Sequence, residues 1–114
     1  MSVNDVFAGA PVADYQAALV WYLRFFGRPP DFFPNDNEAV WQLGEHAWIY
    51  VVGDAARAGH GLLTLLVDDV DQQLAELKER GIETGKIDTI PGAVRKLEVT
   101  DPDGNRITFG QPLS

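Results

Sequence analysis

The chain has 114 residues, of which 46% are hydrophobic, and this is enough for one domain with a real core. Nine Lys and Arg against seventeen Asp and Glu give a net charge of −8, which repels nucleic-acid phosphates. No apolar run approaches the roughly 18 residues of a membrane span, the N-terminus lacks signal-peptide regions, and no cysteine is present. We therefore expect a cytoplasmic protein with no nucleic-acid or membrane partner.

The first half of the chain predicts the element order β-α-β-β-β. Residues 4–11 favour a short strand, and Asp14 stands where a helix N-cap belongs. Apolar residues at helical spacing follow as far as Gly27, which favours a helix end. Residues 31–33 then predict a short strand, and residues 39–43 and 47–52 predict a hairpin.

The second half predicts the same order. Residues 62–67 are apolar enough for a strand buried on both faces. Asp69 is placed to cap a second helix that ends at Gly81. Residues 82–90 and 93–100 predict two strands, and residues 106–111 predict a last strand after the turn sequence Asp-Pro-Asp-Gly-Asn at 101–105.

The two halves also share sequence. Val12 aligns with Val67, Asp14 with Asp69 and Leu19 with Leu74, and such a period indicates two copies of one supersecondary unit. We predict an α+β fold in a single domain spanning residues 1–114, with unit 1 at about 1–53, a linker at 54–60 and unit 2 at about 61–114. In this fold two βαβββ units form a curved mixed sheet, with the helices on the outer face and a cup on the opposite face.

These features resemble the vicinal oxygen chelate superfamily, which contains glyoxalase I, extradiol dioxygenases and bleomycin-resistance proteins. The resemblance rests on the paired βαβββ units, the Val-x-Asp helix starts and the segment Asp-Pro-Asp-Gly-Asn-Arg-Ile at 101–107. It implies the predicted fold over essentially the whole chain. It leaves the activity open, because that depends on what lines the cup. It also implies a homodimer in which the second subunit often completes the cup.

Metal-dependent members of this superfamily hold the metal on the first and last strands of each unit, usually with His or Glu. Carried over to this sequence, the four places fall on Phe7, Tyr50, Leu62 and Thr108. None of these side chains supplies the imidazole, carboxylate or thiolate that a transition metal needs at neutral pH. We therefore predict no metal ligands and no cofactor.

A shifted metal site is an alternative. Asp5 and His60 each lie two residues before the expected places, on the same strand face. The equivalent shifts on the other strands reach Trp48 or Val52, and Arg106 or Gly110, which supply no ligand. We expect His60 to be solvated, and His46 likewise.

The predicted cup is lined instead by Phe7, Trp48, Tyr50, Leu62 and Thr108, with Trp41 and Arg106 as neighbours. Aromatic walls with few polar groups suit a flat or amphipathic organic molecule. The other interpretation of these aromatics is that they fill the sheet face or a dimer contact.

Catalytic residues are not identified by the sequence. There is no cysteine, and the two serines, Ser2 and Ser114, lie at the chain ends. The favoured hypothesis is a metal-free small-molecule binding protein of the glyoxalase/bleomycin-resistance type, holding an aromatic or cationic ligand. Two alternatives are a metal-dependent lyase or dioxygenase related to glyoxalase I, and a structural or regulatory module without a cup.

Overall fold

The computed structural model describes residues 1–113, and Ser114, the last residue of the predicted second unit, lies outside the described residues. Two helices and eight strands follow one another in the order β-α-β-β-β twice. They are β1 (Val6–Val12), α1 (Tyr15–Phe26), β2 (Phe32–Asn35), β3 (Glu38–Gly44), β4 (Ala47–Gly53), β5 (Leu62–Leu66), α2 (Val70–Glu79), β6 (Asp88–Ile90), β7 (Val94–Thr100) and β8 (Arg106–Pro112).

Each half of the chain forms its own four-stranded mixed sheet. The strand orders are β1-β4-β3-β2 and β5-β8-β7-β6, so the two sheets have the same topology. In each sheet the first strand pairs parallel with the last, and the remaining pairings are antiparallel. The predicted α+β fold of two βαβββ units is confirmed. Within residues 1–113, neither α1 nor α2 has the length and hydropathy that a bilayer-spanning helix needs.

Both helices begin and end where the local sequence predicts. The Asp14 carboxylate accepts a hydrogen bond from the amide of Ala17 at 3.1 Å, and the Asp69 carboxylate accepts one from Gln72 at 3.1 Å. These contacts satisfy amides that have no partner inside the first helical turn. Gly27 caps α1 in the left-handed region at φ 70°, and Gly81 follows α2 at φ 73°.

The core lies between the helices and one face of both sheets. Strand alternation decides which side chains enter it: Ile49 and Val51 of β4 are buried, whereas Trp48 and Tyr50 point to the other face and are only partly buried. The buried residues of both halves form one hydrophobic cluster. The second sheet face, opposite the helices, is therefore left for solvent or a ligand.

A buried carboxylate joins the two units. Asp101, at the turn between β7 and β8, is 4% exposed, and its Oδ1 accepts hydrogen bonds from the amides of residues 103, 104 and 105. Its Oδ2 accepts from the Tyr22 hydroxyl of α1 at 2.6 Å and from the Asn105 amide at 2.7 Å. The Asn105 amide also donates to the carbonyl of Pro11, and its oxygen accepts from Gly61. The turn is thus tied to α1, to the end of β1 and to the connection between the units.

Two arginines join the helices at their carboxyl ends. Arg24 of α1 donates to the carbonyls of Arg80 and Gly81 beyond α2, at 2.8 to 3.2 Å. Arg80 in return donates to the carbonyl of Phe25 in the last turn of α1 at 2.9 Å. Cations are favourable at a helix carboxyl end, where carbonyls lack amide partners and the macrodipole is negative. The exchange fixes the two units against each other.

Two predictions about the second unit are wrong. Residues 62–67 were expected to be buried on both faces, yet Leu62 is 79% exposed and Leu66 is 70% exposed. β5 is an edge strand of its sheet, and only Leu63 and Leu65 point toward the helices. Residues 82–90 were expected to be one strand, but only Asp88–Ile90 pairs with β7.

The Tyr22 hydroxyl gives a testable contribution to stability. Replacing Tyr22→Phe removes its hydrogen bond and leaves a buried carboxylate oxygen with one partner fewer. We expect the free energy of unfolding in urea to fall by about 1–3 kcal/mol. Tyr15→Phe is the matched control, because Tyr15 is also buried and the described residues supply no partner for its hydroxyl; we expect a change within about 0.5 kcal/mol.

The same hydroxyl predicts a dependence on alkaline pH. Burial, and then the neighbouring Asp101 carboxylate, raises the pKa of Tyr22 well above its ordinary value near 10. Above pH 10 the phenol ionises in the unfolded chain before it ionises in the folded one, so this contribution is complete below pH 10 and lost as pH rises. The difference between the native protein and Tyr22→Phe should shrink above pH 10. A constant difference from pH 7 to 11 would contradict the role assigned to this hydroxyl.

Candidate functional site

An aromatic cluster lies on the sheet face opposite the helices. Phe7 of β1 and Trp48 of β4 are register partners, and their rings stack with centroids 5.3 Å apart and planes 8° from parallel. Phe32 of β2 meets Trp48 edge to face at 6.1 Å. Phe7 is 49% exposed and Phe32 is 44% exposed. The first unit therefore presents an open aromatic surface, as the alternation of β1 and β4 predicts.

A carboxylate holds the indole of this cluster. The Trp48 Nε1–H donates to Asp5 Oδ2 at 3.2 Å, and Asp5 Oδ1 lies 2.9 Å from Nδ1 of His46. The hydrogen bond with His46 is the main reason why the pKa of Asp5 is held below its ordinary value. Asp5 therefore stays ionised at neutral pH and gives the aromatic surface a negatively charged edge.

The Tyr50 ring lies flat across the backbone of β1. Gly9 is its register partner, and a Cβ added to Gly9 would stand 2.5 Å from Cζ of the tyrosine ring. Only glycine leaves room for this close approach. Beside the ring is a concavity of about 540 Å³, which is lined by Gly9, Pro11, Tyr50, Val52, Asp54, Arg57, His60 and Gly61. Tyr50 thus separates the aromatic cluster from a more polar recess.

The second unit contributes a different surface. Leu62 of β5 is the register partner of Arg106, and Thr108 of β8 lies between Thr64 and Glu98. Arg106 donates from Nε and Nη2 to Glu98 at 3.2 Å each. Phe7, Trp48 and Tyr50 therefore share one sheet face, and Leu62, Arg106 and Thr108 share the equivalent face of the other sheet. Thr108 is not among the residues that line the recess beside Tyr50.

The prediction that Trp41 neighbours the cup is wrong. Trp41 is completely buried on the helix side of β3, and its ring lies 4.7 Å from that of Phe26. Its indole N–H donates to the carbonyl of Arg28. Trp41 precedes Gln42, which pairs with Trp48, so strand alternation directs it away from the aromatic cluster.

A divalent metal does not fit the residues at the four equivalent strand positions. Phe7 and Leu62 offer no donor atom, and Tyr50 and Thr108 offer only neutral hydroxyls. Within residues 1–113, no group of three or more His, Cys, Asp and Glu side chains is placed to hold an ion.

The shifted pair of Asp5 and His60 does not form a metal site either. Asp5 precedes β1 and is engaged by His46 and Trp48, whereas His60 lies in the recess beside Gly9 and Pro11, further along the strand.

Sequence reasoning missed several contributors to this surface. Phe32, Gly9 and Arg57 were not proposed for the site. His60 is exposed to solvent, as the sequence predicts, and it also lines the recess beside Tyr50. Gly9 carried a usable signal, since a glycine inside a strand often marks a close approach of another group. Arg57 and His60 carried none, because their position depends on how residues 54–60 fold back over β1.

The family follows from a comparison with known sequences. A profile of the Glyoxalase/Bleomycin resistance protein/Dioxygenase superfamily matches residues 5–109. The chain belongs to this superfamily, and the resemblance drawn from its repeat and its Asp-Pro-Asp-Gly-Asn turn is confirmed. A search of curated proteins returns no match.

Solved structures agree with this assignment. A glyoxalase/bleomycin resistance protein from Catenulispora acidiphila is 44% identical, with a TM-score of 0.89 over 96% of this chain and 98% of that one. An antibiotic binding protein from a Streptomyces species is 27% identical, with a TM-score of 0.76 over 99% and 97% of the two chains. A lactoylglutathione lyase from Agrobacterium tumefaciens shares the fold at 18% identity, with a TM-score of 0.74 over 93% and 91%.

The contact between Gly9 and Tyr50 predicts a coupled pair of substitutions. Gly9→Ala forces the ring off the strand, and we expect a loss of about 1–3 kcal/mol in the free energy of unfolding. In a Tyr50→Ala background the added methyl group meets no ring, so the same change should be neutral or stabilising by about 0.4–1 kcal/mol. Urea unfolding of the four proteins measures the coupling. Equal effects of Gly9→Ala in both backgrounds would show that the ring does not lie over this glycine.

Proposed function

We propose that this protein is a metal-free small-molecule binding protein that holds an aromatic or cationic organic ligand against the first unit's open sheet face. The observation that carries the proposal is the exposed stack of Phe7 on Trp48, at a strand position where metal-dependent relatives would hold a ligand to the metal. The exposed parts of Phe7 and Phe32 are aromatic and apolar, which favours aromatic contacts and apolar burial of a ligand.

Charge supports a cationic or neutral ligand over an anionic one. The carboxylate of Asp5 borders the indole of Trp48, and the chain carries a net charge of −8. The face of an indole attracts cations through its quadrupole, by about 0.5–2 kcal/mol. The Streptomyces relative, at 27% identity, is an antibiotic binding protein, which supports a small organic molecule as the ligand.

We further propose that the protein acts as a homodimer. The equivalent face of the second unit exposes Leu62 and Leu66, and large apolar side chains exposed together commonly mark an interface. A second copy would cover this face and close the cup over the ligand.

The dimer is tested by light scattering. We expect a mass of two chains for the native protein and a shift toward one chain for Leu62→Glu, which places a charge in the apolar contact. Val20→Glu is the control, because Val20 is 61% exposed on α1, away from this face. A native mass of one chain, or equal effects of both substitutions, would contradict the proposed interface.

The ligand site is tested by equilibrium dialysis against bleomycin and a panel of planar aromatic cations. We expect Trp48→Ala to weaken binding at least tenfold, since it removes the stacking surface. Phe32→Ala and Phe33→Ala form a matched pair in one strand. Phe32 touches Trp48, whereas Phe33 lines a separate recess with Tyr15 and Leu19, so only Phe32→Ala should weaken binding.

Metal analysis completes this test. The protein is purified without a histidine tag, and its metal content is measured by mass spectrometry. We expect less than one equivalent of Ni, Zn, Fe or Mn for every ten chains. A stoichiometric metal, or ligand binding unaffected by Trp48→Ala, would refute the proposal and favour a metal-dependent lyase or dioxygenase.

A further inference from the structure

A second cavity lies where the end of β5 meets the carboxyl end of α1, one side of α2 and the turn between β3 and β4. Its volume is about 530 Å³. Both helices, β5 and the β3–β4 hairpin surround it, so it is built by the two units together. The lining residues are Phe25, Phe26, Leu43, Gly44, Ala47, Thr64, Leu65, Leu66, Val67, Gln73, Glu76, Leu77, Arg80 and Phe109.

The internal repeat explains where this cavity comes from. Aligning Ile49 with Ile107 places Leu43 where the second unit has Asp101, and Ala47 where it has Asn105. Aligning the two helix starts, Asp14 with Asp69, places Leu77 at the position of Tyr22, and Leu66 at that of Pro11. All four counterparts, Leu43, Ala47, Leu66 and Leu77, line the cavity. The cavity therefore occupies the place that is pseudo-symmetric to the buried Asp101 contacts.

The two equivalent places differ in what fills them. On one side the Tyr22 hydroxyl, the Asp101 carboxylate and the Asn105 amide fill the space and bond to one another. On the other side, Leu77 takes the position of Tyr22 and Leu43 takes that of Asp101. Alanine replaces the asparagine, and it can neither span the gap nor form a hydrogen bond. The fold leaves an apolar space there that no side chain of the described residues occupies.

The mouth of the cavity carries one charge of each sign. Arg80 donates to the carbonyl of Phe25 and lies 3.8 Å from the carboxylate of Glu76, and both side chains are about one third exposed. Gln73 is the other polar side chain on α2 that lines the mouth. An ion of either sign entering here meets a like charge as well as an opposite one. A neutral molecule meets no such penalty, and its polar group finds both donors and acceptors.

We propose that this cavity is a second ligand site, which takes a small uncharged molecule that is mainly apolar or aromatic and has one hydrogen-bonding group. Its apolar part packs on Phe26, Leu43 and Leu66, and its polar group lies among Gln73, Glu76 and Arg80. This site shares no lining residue with the aromatic cluster or with the recess beside Tyr50.

Two fluorescent probes test the assigned ligand class. N-phenyl-1-naphthylamine is uncharged, and 1-anilinonaphthalene-8-sulfonate carries the same rings with an added sulfonate. We expect saturable binding of the uncharged probe, with an affinity at least tenfold above that of the sulfonate. In a ¹H–¹⁵N spectrum of the native chain, the uncharged probe should shift the amides of residues 43–47 and 64–67. Equal or tighter binding of the sulfonate at these amides would overturn the class of ligand.

A filled cavity tests the location. Ala47→Trp places an indole in the space, and we expect the affinity for the uncharged probe to fall at least tenfold. Ala55→Trp is the matched control, because Ala55 is exposed in the connection between the units, and the affinity should not change. Retained binding by Ala47→Trp, shifts confined to Phe7, Trp48 and Tyr50, or the absence of saturable binding to the native chain would each overturn the proposal. The spectrum of the native chain decides the matter if Ala47→Trp does not fold.

Discussion

The arrangement of the two units depends on the buried carboxylate of Asp101. A charged group excluded from water is tolerated only when its lone pairs are hydrogen-bonded, and here three backbone amides, a phenol and a side-chain amide supply those bonds. Four of the five donors lie in the turn itself, so the turn is rigid before it meets the rest of the chain. The fifth, Tyr22, belongs to the other unit. The contact therefore works as a specific joint, because a shift of α1 by one residue would leave the carboxylate without its phenol.

Duplication of the fold did not duplicate this joint. The sheets repeat their strand order, and both helices repeat an aspartate cap and a glycine end. The buried carboxylate is found on one side only. The Ala13 amide, which donates to the Asp103 carboxylate, and the arginine exchange between the helix ends supply further links between the units. The equivalent place on the other side carries Leu43, Ala47 and Leu77, whose side chains form no hydrogen bonds. The result is a mainly apolar cavity with Glu76 and Arg80 at its mouth. In the sequence, this difference between the two halves is visible only when their strands are aligned as well as their helices.

Local signals were sufficient for most elements, and tertiary position decides the rest. Asp14, Asp69 and Gly27 act through hydrogen bonds and dihedral angles within a few residues, so the helix ends were predictable. The exposure of Leu62 and Leu66 was not predictable, because β5 is an edge strand and amino-acid composition does not distinguish an edge strand from a central strand. The faces of β1 and β4 followed from alternation, which placed Phe7, Trp48 and Tyr50 together. The prediction for Trp41 was wrong because it followed residue type rather than the position of Trp41 in the pleat of β3. The positions of Arg57 and His60 depend on how residues 54–60 fold back over β1.

The aromatic surface depends on the strand geometry that the family shares and on the residues that this chain places there. The strand positions that face the cup are fixed by the pleat, whatever residues occupy them. Histidine and carboxylate there would converge on one ion, but rings there must find other partners: Phe7 stacks on Trp48, and Tyr50 lies over Gly9. Asp5 then holds the indole in place and brings one negative charge to the edge of the stack. On the proposed function, an aromatic surface with one anchored carboxylate would discriminate among ligands by ring shape and charge.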